Sequence, residues 1–143
     1  MGITYHPKVG QILFCDFSGF RAPEMVKKRP VIVLAPPHKG GAELSTVVPL
    51  STVKPEPIQS FHYLLPRQCL PKHKFFFGVD TWLKGDMIYT VGFHRLEAIQ
   101  IDKNPQTGKR IYFTNRLGRE HMKVICTCVL HGIHMSWIVN QLD

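Results

Sequence analysis

Over most of the chain the apolar residues come in short runs cut by turn residues, and only near the C-terminus do they take a helical period. Residues 11–17 (Gln-Ile-Leu-Phe-Cys-Asp-Phe) are rich in strand formers and end at Ser18-Gly19, a turn signal. A polar to basic loop, 20–28, leads to Arg29-Pro30 and the run Val31-Ile32-Val33-Leu34-Ala35, whose shortness and β-branching predict a buried strand. Pro36-Pro37 ends it. Residues 43–51 and 60–65 predict two more strands, and 86–91 another, opened by Lys84-Gly85. The stretch 104–108 (Asn-Pro-Gln-Thr-Gly) lies between 98–101 and 110–114 as a hairpin loop would.

The period then changes. Met122, Ile125, Cys126, Val129, Leu130, Ile133 and Trp137 share one helical face, with Gly118 or Asn115 at the start and Glu120 in the first turn, where an acid suits the positive end of the helix dipole. This helix carries Cys126, Cys128, His131 and His134, all of them zinc-ligand types. At about 100° per residue Cys126 falls on the apolar side and the other three drift round the polar side, so four tetrahedral ligands do not converge. The expectation is no metal site and no cofactor.

Several short strands with no crossover helices between them, followed by one helix, predict a mainly β fold with α, a small curled barrel with a C-terminal helix. The chain's 143 residues are room for one domain, 1–143, and 44% hydrophobic content with only 20% charged residues excludes a disordered chain. No run nears the roughly 18 apolar residues of a membrane span, and His6, Pro7 and Lys8 stand where a secretion signal needs an apolar core. A cytoplasmic protein with reduced cysteines is expected.

Composition adds a partner class. Eighteen Lys and Arg against ten Asp and Glu give a net charge of +8, which points to a polyanion. Glu24 and Arg29 bracket the loop between the first two strands, with Lys27 and Lys28 between them. A carboxylate and a guanidinium at the ends of such a loop can approach one phosphate from opposite sides. The carboxylate can take the proton of a ribose 2′-hydroxyl while the planar cation holds the phosphate oxygens, and this chemistry needs no metal.

The string 10–17 (Gly-Gln-Ile-Leu-Phe-Cys-Asp-Phe), Pro23-Glu24, Arg29-Pro30 with the following strand, and 47–52 (Val-Val-Pro-Leu-Ser-Thr) resembles the MazF/PemK family of toxin endoribonucleases. Residues 84–91 are similar to that family's strand bearing a basic residue and an aspartate, and Leu117-Gly118 with Met122, Val124 and Ile125 is similar to its last helix. The resemblance implies an SH3-like barrel that dimerises, cuts single-stranded RNA at short sequences to leave 2′,3′-cyclic phosphate and 5′-hydroxyl ends, and is held in check by a cognate antitoxin. It implies Glu24 as general base, Arg29 as general acid and phosphate ligand, and Ser51 or Thr52 as the hydroxyl that steadies the phosphorane. Lys84 and Asp86 stand where some members carry the acid and base instead. Lys27, Lys28, His94 and Arg95 are the expected RNA-holding residues.

Three departures qualify that pattern. Ser51 stands where Thr is usual, and Lys84 where Arg is common; a lysine gives no bidentate fork, which favours Glu24 and Arg29 as the working pair. Residues 66–81 and 103–114 have no matched role. Within the first, Phe75-Phe76-Phe77 is expected to place at least two rings in the core or an interface, as are Tyr63, Trp82 and Trp137. The competing reading is a non-catalytic SH3-like barrel that binds nucleic acid or a protein partner.

Overall fold

The computed structural model describes residues 2–141. Its strands are β1 (Ile12–Asp16), β2 (Lys28–Ala35), β3 (Leu44–Ser51), β4 (His62–Leu64), β5 (Trp82–Lys84), β6 (Tyr89–Gly92), β7 (Leu96–Glu97), β8 (Gln100–Lys103) and β9 (Arg110–Tyr112), followed by one helix, α1 (Arg119–Gly132). The main sheet runs β4-β5-β3-β2-β1-β7, all pairs antiparallel, with β6 beside β5 on the same edge of β3. The hydrogen-bonded ladder does not close into a barrel: β6 pairs with β3 and β7 with β1, and the two are joined only through a short 3-10 turn, Phe93–Arg95. The fold is mainly β with one C-terminal helix, as expected.

The long central strands are buried on both faces, which is why their sequences read as apolar runs rather than as alternation. On one side of the sheet Leu13, Cys15, Phe17, Val31, Val33, Val47, Val91, Phe93 and Leu96 form one cluster. On the other Ile12, Phe14, Ile32, Val48, Leu50 and Leu83 pack with Met122, Ile125, Cys128 and Val129 of α1. Deleting a large side chain from either layer costs roughly 2–5 kcal/mol, so the helix is part of the fold and not an appendage.

The structure corrects three expectations from the sequence. The strand expected at 86–91 starts later: β5 ends at Lys84, Gly85 to Ile88 form a turn, and β6 begins only at Tyr89. Asp86 therefore lies in the turn. The helix stops at Gly132, because His134 takes a left-handed conformation (φ 62°), and Trp137 sits in a separate 3-10 segment at 67% exposure instead of on the helical face. On α1 it is Cys128 that is buried and Cys126 that is half-buried. β4 covers the flank of the helix that carries Cys128, whose thiol lies 3.8 Å from the His62 carbonyl, so the expected polar side is buried there. Among the described residues no three His, Cys, Asp or Glu side chains gather as metal ligands would. The hairpin β8–β9 stands where the sequence placed it, and Gly118 precedes the helix with Glu120 in its first turn.

The segment 66–81 is tied down at both ends. Phe76 is buried and Phe75 packs edge-on against Phe14 and Phe76, while Phe77 stays 63% exposed. Near its start the Cys69 thiol meets His121 Nε2 on α1 (3.6 Å), whose Nδ1 meets the Tyr63 hydroxyl (3.1 Å). Burial holds the imidazoles of His62 and His73 below the ordinary histidine value; His62 also has Asp86 pulling its pKa up and Lys84 pushing it down, while Lys74 and Lys28 lower that of His73. Each Nδ1 accepts a backbone N–H, from Gln59 and Phe75 respectively, which only the neutral ring allows. The unfolded chain therefore takes up protons first as the pH falls through about 6.5, and stability declines from there until the folded values are passed. Melting temperature should drop between pH 7 and 5, and the His62→Gln/His73→Gln double variant should flatten that slope. A native chain with no slope in this window would refute the assignment.

Candidate active site

Arg29 and Ser51 are brought together by strand register. The β1–β2 pairing sets Arg29 beside Cys15, and continuing the β2–β3 register two residues past Val31 and Pro49 sets it opposite Ser51. Ser51 in turn pairs with Trp82 of β5. Cys15, Arg29, Ser51 and Trp82 thus form one row across four strands. Cys15 is fully buried, its thiol pushed up to about 12 chiefly by that burial, so it stands next to Arg29 without charge. Arg29 is half-buried, and its Nε is buried with no hydrogen-bond partner. Ser51 Oγ accepts the Val53 N–H at 3.1 Å, which leaves the hydroxyl proton free to donate elsewhere. Thr52, half-buried, follows at the bend beyond the strand.

The loop between β1 and β2 carries Glu24 and is held by contacts the sequence did not reveal. Tyr89 anchors it: the hydroxyl accepts the Met25 N–H at 2.9 Å, and the ring packs against Phe17 and Phe20. Arg95 clamps its start, with Nη1 donating to the carbonyls of Asp16 (2.9 Å) and Ser18 (2.8 Å) and the guanidinium 4.8 Å from the Phe20 ring centre. Lys27 closes it in a left-handed conformation, φ 76°, with its carbonyl accepting the Phe17 N–H. Glu24 lies exposed in a turn where its carboxylate accepts the Arg21 N–H at 3.0 Å, and it forms no ion pair with Arg29. Asp16 carries a carboxyl below its ordinary value, chiefly through hydrogen bonds from Ser18.

The second candidate pair lies elsewhere on the sheet. Lys84 is opposite His62 on β4, and Asp86 is exposed in the following turn, which crosses α1 at close range. A Cβ on Gly132 would stand 2.5 Å from the Gly85 carbonyl oxygen, and one on Gly85 would stand 2.9 Å from the Cys128 oxygen. Glycine at both positions permits that crossing.

With this geometry in hand, comparison with known proteins decides the family. A model described as PemK-like, MazF-like toxin of type II toxin–antitoxin systems matches residues 8–128. The chain belongs to that family. It is 28% identical to the putative uncharacterized protein YifN of Escherichia coli K12, over 98% of this chain and all of that one. An uncharacterized protein of Haemophilus influenzae is 30% identical over 99% of this chain and its own full length. Among solved structures it is similar to MazF from Deinococcus radiodurans (TM-score 0.61, 16% identity, covering 92% of this chain and 99% of that one). It is also similar to an endoribonuclease in complex with its cognate antitoxin from a mycobacterial species (0.60, 14%, 92% and 98%). At these identities the structures speak for the fold.

Within this PemK/MazF-like chain the four residues expected to hold RNA divide in two. Lys27 and His94 are exposed. Lys28 is ion-paired with Glu97 and lies 5.3 Å from the Phe14 ring centre, and Arg95 is committed to the loop. The PemK/MazF-like sequence held no signal for the Tyr89 and Arg95 anchors, since both lie more than sixty positions from the loop they fix. No helix among the described residues is long and apolar enough to cross a membrane.

Proposed function

We propose that this toxin is a metal-independent endoribonuclease that acts in the cytoplasm as a homodimer on single-stranded RNA, leaving 2′,3′-cyclic phosphate and 5′-hydroxyl ends, and is restrained by a cognate antitoxin. The observation that carries the reading is Arg29: a half-buried guanidinium, aligned by extension of the β2–β3 register with a hydroxyl that has a free proton, whose Nε has no acceptor among the described residues. Leaving a buried donor unpaired costs about 1–3 kcal/mol, and a phosphate oxygen is the acceptor that suits a guanidinium edge. Arg29 would hold the scissile phosphate and protonate the leaving 5′-oxygen, and Ser51, with Thr52 beside it, would donate to the phosphorane. Glu24 would remove the 2′-hydroxyl proton once the exposed bond to Arg21, worth only about 0.5–1.5 kcal/mol, is exchanged for substrate. Lys84 and Asp86 are the alternative pair.

That Glu24 bonds Arg21 and forms no ion pair with Arg29 also favours a second reading, a non-catalytic barrel that binds nucleic acid or a protein partner. One experiment separates them. The purified protein is incubated with long single-stranded RNA in excess EDTA beside Glu24→Ala and Arg29→Ala, and product ends are mapped. Sequence-specific cuts with cyclic-phosphate ends, lost in both variants, are expected. Cuts that survive both substitutions would move the chemistry to Lys84 and Asp86. RNA that is bound but intact would establish the binding module.

A further inference from the structure

The two stretches without a counterpart in the family resemblance, 66–81 and 103–114, meet at one place on the surface. His73 from the first and Arg110 and Tyr112 from the second line a cleft of about 910 Å3 together with Tyr5 and Lys28. A hollow of about 440 Å3 adjoins it, sharing His73 and Gln100 and adding Lys72, Lys74, Phe77 and Lys103. Neither hollow contains Arg29 or Ser51. The groove is nonetheless close to them in the chain: Lys28 precedes Arg29 on β2, and alternation along the strand sends the two side chains to opposite faces.

The groove is one-sided in charge. Five cations line it, Lys28, Lys72, Lys74, Lys103 and Arg110, against two carboxylates, of which Glu97 is already paired with Lys28. Set among these cations are rings left open to solvent: Tyr5 is 43% exposed, Tyr112 41% and Phe77 63%. Fixed cations interleaved with exposed aromatic faces meet the needs of a single nucleic-acid strand, whose phosphates seek the charge and whose unstacked bases seek the rings. An acidic peptide would use the cations, but it matches the rings only where it also carries apolar side chains, whereas every nucleotide brings a phosphate and a π-face together. Gln11, whose Oε1 accepts the Lys8 N–H, and Gln100, whose Nε2 donates to the Asp102 carbonyl, each keep one amide group that can pair with a base edge.

We propose that this groove is a second, remote subsite for single-stranded RNA, on the face of β2 opposite Arg29, where bases stack on Tyr5, Tyr112 and Phe77 while the lysines and Arg110 hold the backbone. It rests on the ribonuclease reading above, and it assigns to the two added stretches the choice of which RNA sequence is bound. Tyr112, Lys74 and Lys103 have exposed side chains, so their removal leaves both cores untouched.

The test uses a fluorescent 2′-O-methyl RNA of about 20 nucleotides, which lacks the attacking hydroxyl, with affinity read by anisotropy across a salt series. Tyr112→Ala is expected to weaken binding roughly 5- to 100-fold. Lys74→Ala/Lys103→Ala should lower the slope of log affinity against log salt by about 0.7 for each phosphate that is no longer neutralised. On cleavable RNA, Tyr112→Ala should relax base preference at positions away from the cut, with an unchanged melting temperature. Variants that bind with native affinity and salt slope overturn the proposal, including the case in which they alter instead the oligomeric state by light scattering or the affinity for an acidic antitoxin segment. A protein that cuts RNA but ignores these substitutions keeps the nuclease and loses the groove. One that binds through the groove and cuts nothing keeps the groove and loses the nuclease.

Discussion

Replacing Arg29 by Met is expected to abolish RNA cleavage while raising the melting temperature. The activity side follows from charge: a preorganised donor aimed at a transition-state oxyanion contributes about 10²–10³ in rate, and proton transfer adds a further factor of about 10²–10⁴. Arg29→Lys keeps the charge but not the planar fork, so it should retain only a small part of the activity. The stability side follows from burial. Arg29 Nε is cut off from solvent and unpartnered, beside a fully buried Cys15 and the core residue Val31. An apolar chain of similar length removes that unpaired donor and gains about 1 kcal/mol, a few degrees for a chain of this size. Residues kept for function at the expense of stability behave in this way. If cleavage and melting temperature fell together, Arg29 would be a structural residue and the loss of activity secondary.

Legibility in the sequence followed burial. β1, β2 and β3 stood out because both faces of each are covered, so no polar position interrupts Val31 to Val33 or Val47 to Leu50. The β8–β9 hairpin stood out through its turn residues. Where context decides, the sequence misled. The run 86–91 reads as one strand opened by Lys84-Gly85, yet its first residues are held in a turn where Gly85 crosses α1, against which nothing larger fits. A helical wheel puts Cys126 on the apolar side, yet β4 packs over the flank that carries Cys128 and buries that thiol instead.

The candidate site divides in the same manner. Glu24, Arg29 and Ser51 were visible as residue types at informative spacing, and the β2–β3 register, extended two residues past Val31 and Pro49, aligns Arg29 with Ser51. The Tyr89 and Arg95 anchors of the Glu24 loop, and the cleft between residues 66–81 and 103–114, depend on contacts across long sequence separations. Pattern along the chain carries no record of such contacts.

The second large effect is expected at the crossing of α1 with the turn after β5. By helix propensity alone Gly132→Ala should stabilise the protein, since alanine is favoured by up to about 1 kcal/mol in a helix. The packing reverses the sign. An added Cβ would sit 2.5 Å from the Gly85 oxygen, 2.6 Å from its carbonyl carbon and 2.7 Å from the Asp86 Cα, all backbone atoms that no rotamer change can move aside. Overpacking of this kind costs about 1–3 kcal/mol, occasionally more, so the melting temperature should fall by several degrees. Gly132→Ser should cost at least as much. The variant also bears on the mechanism, because relief of the clash must displace the turn that carries Asp86 and follows Lys84, while the pairing of β2 with β3 that sets Arg29 against Ser51 is left intact. A destabilised Gly132→Ala that still cuts RNA at the native rate below its melting point would place the chemistry on Glu24 and Arg29. A rate that falls well below the native one while the fold persists would place it on Lys84 and Asp86, and an unchanged or higher melting temperature would refute the close crossing itself.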